Sequence, residues 1–306
     1  MPSPRQFVQR YGFPAHAIIQ FPNSERAWRI DSDQGPLVLR LHDPDHQADF
    51  HANHPAEIAV LRYLERIDFP APRLVPAPDG AAITWWGRKA GYLTTFLPGR
   101  HLVPGMDSAR QLGVAIARVH RLDCAGLPDT NFNVAAKKTV FHRFDADPGV
   151  QAWEGYAEIR PKLKGAWEHL PSMADLPRTL IHTDLDFRNA VLTPAGHLVF
   201  IDWEGCGVGS AIQDIGYFLA GYIIPRKYGL RSDIVRAFLA GYISVRPLSP
   251  QEWSHLPDAI LFGCIFYVLW YSMVYQPGWQ GTCYALDHRN HIEGALETIR
   301  AELQWG

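Results

Sequence analysis

The sequence predicts an α+β protein of two lobes, a small β-rich N-terminal lobe over residues 1–97 and a larger, mainly helical C-terminal lobe over residues 98–306. Three observations lead there. Short β-compatible runs separated by turn signals fill much of the first hundred residues. Apolar residues at helical spacing dominate the rest of the chain. Between the two lies the clearest cluster of chain breakers, Leu97-Pro98-Gly99-Arg100 and Val103-Pro104-Gly105.

The strands come first. His16 to Phe21, Ala27 to Asp31 and Leu37 to Leu41 are strand candidates, with Asp33-Gln34-Gly35 as a hairpin turn. His42-Asp43-Pro44-Asp45-His46, followed by Asp49, His51 and His54, reads as a solvated loop or a metal site, although its spacing matches no zinc pattern. From Pro55, Ile58, Leu61, Leu64 and Ile67 mark a helix that ends before Phe69-Pro70, with Glu57 in its first turn. Ala81 to Trp85 and Gly91 to Phe96 are two further strands around Gly87-Arg88. Past the breakers, Asp107 or Ser108 is expected to cap a helix running through Leu112, Ile116 and Val119. Residues 122–149 show no regular pattern. Helices are expected near 150–166, 211–224, 232–245, 256–275 and 287–304.

With 306 residues the chain can bury two cores, and 47% hydrophobic content with a net charge of −2 is that of an ordinary globular protein. No basic excess points to nucleic acid. The four cysteines form no C-x-x-C pair, as expected of reduced thiols in a cytoplasmic protein. The start, Met1-Pro2-Ser3-Pro4-Arg5, lacks the apolar stretch of a signal peptide. Ala259 to Tyr275 is almost wholly apolar but short for a membrane span, so a buried helix is expected there. Oligomeric state is left open.

The chemistry concentrates in one stretch. Two apolar runs, Leu180-Ile181 and Leu198 to Ile201, bracket a polar loop with His182, Asp184 and Asn189, and the second run delivers Asp202. An aspartate five residues before an asparagine, with another acid after the next strand, suits phosphoryl transfer. One acid orients a hydroxyl nucleophile, while an amide oxygen and a carboxylate hold magnesium on nucleotide phosphates. His182 is expected to brace the loop. Asp214 either anchors the loop or merely caps a helix. Asp186 would bind metal or a cationic substrate, or cap the loop. Glu204 would reach water around magnesium or lie at the surface.

His182-Thr183-Asp184-Leu185-Asp186-Phe187-Arg188-Asn189 with Ile201-Asp202-Trp203-Glu204 resembles the signature of the aminoglycoside phosphotransferase and choline kinase-like group. Other stretches resemble that group in the same order: Leu37 to Leu41 its third strand, Glu57 the acid of the following helix, and Tyr92 to Gly99 its hinge. The resemblance runs from about residue 15 to 220. It implies a protein-kinase-like fold and transfer of the γ-phosphate of ATP, with Mg2+, to a hydroxyl of a small molecule. Amino alcohols, homoserine-like amino acids, sugars and aminoglycosides are the acceptor candidates. By the same resemblance Asp184 is the catalytic base and Asn189 and Asp202 hold metal. Arg40, steadied by Glu57, positions the phosphates, and Thr95 and Leu97 hold adenine through their backbones. The sequence departs from the group at three places: Arg40 replaces a common lysine, Pro22-Asn23-Ser24-Glu25-Arg26 has no glycine, and Asp186 stands where histidine is frequent. Those departures sustain an alternative, a catalytically silent nucleotide-binding protein. A zinc hydrolase built on the histidine-rich loop is a third reading. In the helical lobe, Trp253, Phe262, Phe266, Tyr267, Trp270, Tyr271, Tyr275, Trp279 and Tyr284 are mostly expected in the core, with Trp279 facing the acceptor.

Overall fold

The computed structural model describes residues 3–22, 24, 26–42, 53–223, 231–274 and 286–305. Six strands make an antiparallel N-terminal sheet: β1 (Ala15–Gln20), β2 (Ala27–Ser32), β3 (Gly35–His42), β4 (Leu74–Val75), β5 (Thr84–Trp86) and β6 (Lys89–Thr95). Their order is β1-β2-β3-β6-β4, with β5 also on β6. Register decides what the sheet presents. Leu39 lies opposite Leu93, and Arg40 opposite Tyr92. The first pair packs with Ile30 and Leu37 beneath helix α1 (Pro4–Gln9), against Phe7 and Val8. The pleat therefore turns Arg40 and Tyr92 to the other face, where helix α2 (His54–Arg66) lays Ile58 on Tyr92. A slip of one residue would push Arg40 into the apolar core, so the pattern fixes this register.

Two small sheets carry the site. Strands β7 (Arg100–His101), β9 (Ala190–Leu192) and β10 (Leu198–Phe200) pair in the order β10-β9-β7, and β8 (Arg178–Ile181) pairs with β11 (Gly207–Ser210). The chain enters this region through Gly99, where a Cβ would sit 2.5 Å from the Leu192 carbonyl oxygen. Only glycine fits so close to another backbone.

Helices supply the rest: α3 (Met106–Val119), α4 (Val134–Ala146), α5 (Pro148–Gln151), α6 (Tyr156–His169), α7 (Ala211–Ile223), α8 (Ser232–Ile243), α9 (Pro250–Val274) and α10 (Arg289–Trp305). Their common core includes Leu112, Ile116, Phe218, Phe238 and Phe262. Some sequence expectations change. The cap of α3 is Gly105 with no side-chain bond, and Asp107 sits inside the first turn, where it complements the helix dipole. Residues 134–146, expected to be irregular, form α4, capped by the Asn133 side chain on the Ala136 N–H. Helix α9 starts at Pro250 and runs through Pro257, six residues before the expected start. No helix among the described residues is long and apolar enough to cross a membrane.

Candidate active site

The loop between β8 and β9 holds Asp184. Its short 3-10 turn, Phe187–Asn189, is pinned by the Phe187 ring, which meets Phe218 edge-on at 5.5 Å in the helical core. From that turn the Asn189 Nδ2 donates to the Asp184 carbonyl at 2.9 Å and to Asp184 Oδ2 at 2.6 Å. One carboxylate oxygen is thereby fixed in place. Asp186 accepts from the Arg188 N–H at 2.8 Å and pairs with the Arg188 guanidinium at 2.9 Å, so it caps the turn. Asp202 is brought alongside by the neighbouring strand: the Ile201 N–H donates to the Asn189 carbonyl at 2.9 Å. The His182 Nε2–H donates to the Ile201 carbonyl at 2.9 Å, tying the two segments together again. Burial pushes the His182 pKa down, which suits a brace and not a proton carrier.

Thr183 and Asp202 both have positive φ, at 75° and 67°, where non-glycine residues are uncommon. Asp214, fully buried in the first turn of α7, holds the loop in that shape. It accepts the His182 N–H at 2.7 Å and the Thr183 N–H at 2.6 Å. His120 at the end of α3 adds a third contact, Nε2 to Asp214 at 3.1 Å. Behind it the Tyr242 hydroxyl meets His120 Nδ1 at 2.9 Å. Arg246 reaches that hydroxyl at 3.1 Å and Glu252 at 2.7 Å.

Around Arg40 the contacts differ from the expected pairing with Glu57. The Arg40 guanidinium pairs with Asp202 and comes within 3.9 Å of Glu204. Glu57 lies 3.6 Å from His54 instead. The left-handed turn at Asp202 is the reason, since it delivers a carboxylate to the sheet face that Arg40 occupies. Burial opposes the Arg40 charge, yet Asp202 and Glu204 hold its pKa well above the ordinary arginine range, with a lesser pull from Glu57. Glu204 is no surface residue. It is 8% exposed and takes Arg26 at 2.9 Å, so two arginines converge on it. The sequence singles out the stretch ending at Arg26 for its lack of glycine but not the Arg26 side chain itself; the pairing of Ala27 with Arg40 across β2 and β3 brings it nearby. Thr95 is drawn into the sheet, its N–H donating to the Arg73 carbonyl at 2.9 Å, and the Phe96 N–H donates to Pro36 at 3.1 Å. Leu97 follows β6 and lies outside that ladder.

A divalent metal and a nucleotide are implied by this set, and the residues fit them. With Nδ2 turned to Asp184, Asn189 keeps Oδ1 as an oxygen donor, and Asp202 adds a carboxylate; magnesium prefers such a sparse set completed by phosphates and water. No group of three or more histidine, cysteine or acidic side chains able to cage a metal occurs among the described residues. Most of the histidine-rich loop (43–52), along with Tyr275, Trp279 and Tyr284, lies outside the described residues. Beside Asp184 stands Tyr217, whose pKa is raised well above the usual value by burial, then by Tyr267 and Asp184. Its ring stacks on Tyr267 at 4.6 Å. The place of Tyr217 beside Asp184 could not be read from spacing alone.

A β-rich lobe, a helical lobe and a loop joining Asp184, Asn189 and Asp202 define a kinase-fold phosphotransferase. The sequence model of the Phosphotransferase enzyme family matches residues 18–248, and the chain belongs to that family. It is therefore a small-molecule kinase by class. It is similar to a homoserine kinase of Rhodospirillum rubrum, 28% identical over 234 residues, covering 74% of this chain and 70% of that protein. A homoserine kinase of Methylorubrum populi is 27% identical over the same length, with the same coverage. Among solved structures, a microcompartment-associated aminopropanol kinase superposes with a TM-score of 0.61 at 17% identity, over 98% of this chain and 96% of that one. An amicoumacin kinase in complex with AMP-PNP and Ca2+ does so at 0.63 and 15% identity, over 95% and 94%. At such identities these structures establish the fold alone.

Proposed function

We propose that the protein is an ATP- and magnesium-dependent kinase that moves the γ-phosphate to a hydroxyl of a small molecule, with Asp184 as catalytic base. The observation that carries this is the bond of 2.6 Å from Asn189 to Asp184, in a turn joined directly to the segment bearing Asp202. Asp184 accepts a hydrogen bond from the acceptor hydroxyl, aims its lone pair at phosphorus and takes the proton late. Asn189 fixes the angle at which Asp184 does so, and with Asp202 would hold magnesium, which neutralises charge on the phosphates. Arg40 and Arg26 supply guanidinium forks for phosphate oxygens, and Glu57 sets the field around Arg40. The hinge near Leu97 would face adenine, with the lobe boundary at residues 97/98. Nucleotide and reduced thiols at Cys206 and Cys264 both suit the cytoplasm.

One observation favours the silent alternative: Arg40 already pairs with Asp202, which metal also needs. Calorimetry with ATP, with and without Mg2+, followed by turnover against amino alcohols, hydroxy amino acids, sugars and aminoglycosides, separates the two. The kinase reading expects magnesium-dependent ATP binding and phosphorylation of at least one acceptor. Binding without any transfer would leave the silent reading.

A further inference from the structure

Two acids and two arginines meet where the N-terminal sheet faces the segment after β10. The Arg26 Nη2 donates to Glu204 Oε1 at 2.9 Å and its Nη1 to Oε2 at 3.4 Å, a forked contact. Arg40 spreads its own fork over both acids, with Nη2 on Asp202 and Nη1 3.9 Å from Glu204 Oε2. A lysine ammonium is a single point of charge and could not divide itself in this way. The backbones are tied down as well. The Leu41 N–H donates to the Arg26 carbonyl at 2.9 Å, and the Asn53 N–H to the Glu204 carbonyl at 2.8 Å. Little of the Arg26, Arg40 or Glu204 side chain meets solvent, so these charges are weakly screened. Two positive charges stand against two negative ones, and a ligand has to disturb that balance. If the arginines turned to a triphosphate alone, two carboxylates would be left uncompensated beside it. If Asp202 turned to a divalent cation alone, Arg40 would face that cation at close range. With both ligands present every broken contact is replaced: Asp202 passes from Arg40 to the cation, and the guanidinium forks pass to phosphate oxygens.

We propose that Glu204 is a positioning residue: it holds Arg26 and Arg40 off the nucleotide phosphates until metal and nucleotide arrive together, so that neither binds well without the other. This rests on the phosphotransfer reading of the site. The pairing of Arg40 with Asp202 is then the resting arrangement of a working kinase, and the metal requirement of nucleotide binding is written into the arginines as well as the metal ligands.

Equilibrium binding by calorimetry on the full chain tests this without any turnover. In the wild type with EDTA present, ATP should bind no more than about threefold tighter than adenosine, because the arginines are still held by acids. Adding Mg2+ should then strengthen ATP by about fiftyfold or more, within the usual range of coupling between two ligands. Glu204→Gln keeps the shape of the side chain and removes its charge. In that variant metal-free ATP should bind about tenfold tighter than in the wild type, the scale of one charge-assisted hydrogen bond released. The strengthening by Mg2+ should shrink to match. When Arg26→Gln is added, the gain from Glu204→Gln should fall below about threefold, since the effect passes through Arg26 and not through charge at a distance. The proposal is overturned by metal-free ATP binding far tighter than adenosine in the wild type, by metal-free affinity unchanged or lowered in Glu204→Gln, or by the same gain with and without Arg26. The first of these needs no variant, so a Glu204→Gln protein that does not fold still leaves a decisive measurement. If ATP binds neither with nor without Mg2+, the phosphotransfer reading fails first and the inference falls with it.

Discussion

With His120 neutral and Asp214 ionised, the chain of polar side chains behind the Asp184 loop runs in one direction. Arg246 can only donate, so it donates to the Tyr242 oxygen; Tyr242 then gives its O–H to His120 Nδ1, and His120 gives Nε2–H to Asp214. The carboxylate at the end collects this bond and the two loop N–H bonds, and that holds Thr183 in its uncommon backbone region. Such a network is sound only while His120 stays neutral, and burial does push its pKa below the usual 6.5, outweighing the upward pull of Asp214. His182 is shifted the same way by burial. The sign is definite. Below about pH 6.5 the unfolded chain binds protons at these two histidines that the folded chain refuses, so stability falls as pH falls. Urea unfolding between pH 7 and pH 5.5 should show a loss of roughly 1 kcal/mol or more, with the slope reduced in His120→Asn. A flat profile across that window would contradict neutral, buried histidines.

Among the elements, helix contacts are set by glycine. A Cβ on Gly113 of α3 would lie 2.2 Å from the Phe238 carbonyl oxygen of α8, and one on Gly241 of α8 would lie 2.1 Å from the Arg110 carbonyl oxygen of α3. The two backbones touch, and this close crossing positions both His120 and Tyr242. Gly241→Ala should cost about 1–3 kcal/mol by overpacking and lower the melting temperature measurably. An unchanged melting temperature would mean that the helices are not packed so closely. What the sequence concealed also lies at this scale. Helix α4 is hidden because its buried stripe begins with Lys137, which a hydrophobic pattern counts as surface. The true start of α9 was in fact legible. Ser249-Pro250-Gln251-Glu252 is a capping box: the Ser249 N–H donates to Glu252 Oε2 at 2.9 Å, and the Glu252 N–H to Ser249 Oγ at 3.1 Å. Pro257 inside the helix masked that signal.

For the molecule as a whole, the strands and the loop around Asp184 could be read because both obey local rules: alternation, turn chemistry, and fixed spacing between Asp184, Asn189 and Asp202. Arg26, Tyr217, Tyr242 and the partner of Arg40 could not, since each is set by which segments meet across long separations in the chain. Arg40 and Arg26, the last residue of the glycine-free stretch, meet at Glu204, so two guanidinium groups gather on one acid. The claim that Asp184 orients and deprotonates the acceptor is tested most directly by Asp184→Asn, in the rate of phosphate transfer to the acceptor the wild type uses best, with Mg-ATP affinity measured on the same protein. Affinity should stay within about threefold of wild type while turnover drops by a hundredfold or more, the usual scale for losing a general base; a variant that transfers phosphate at the wild-type rate would contradict the account.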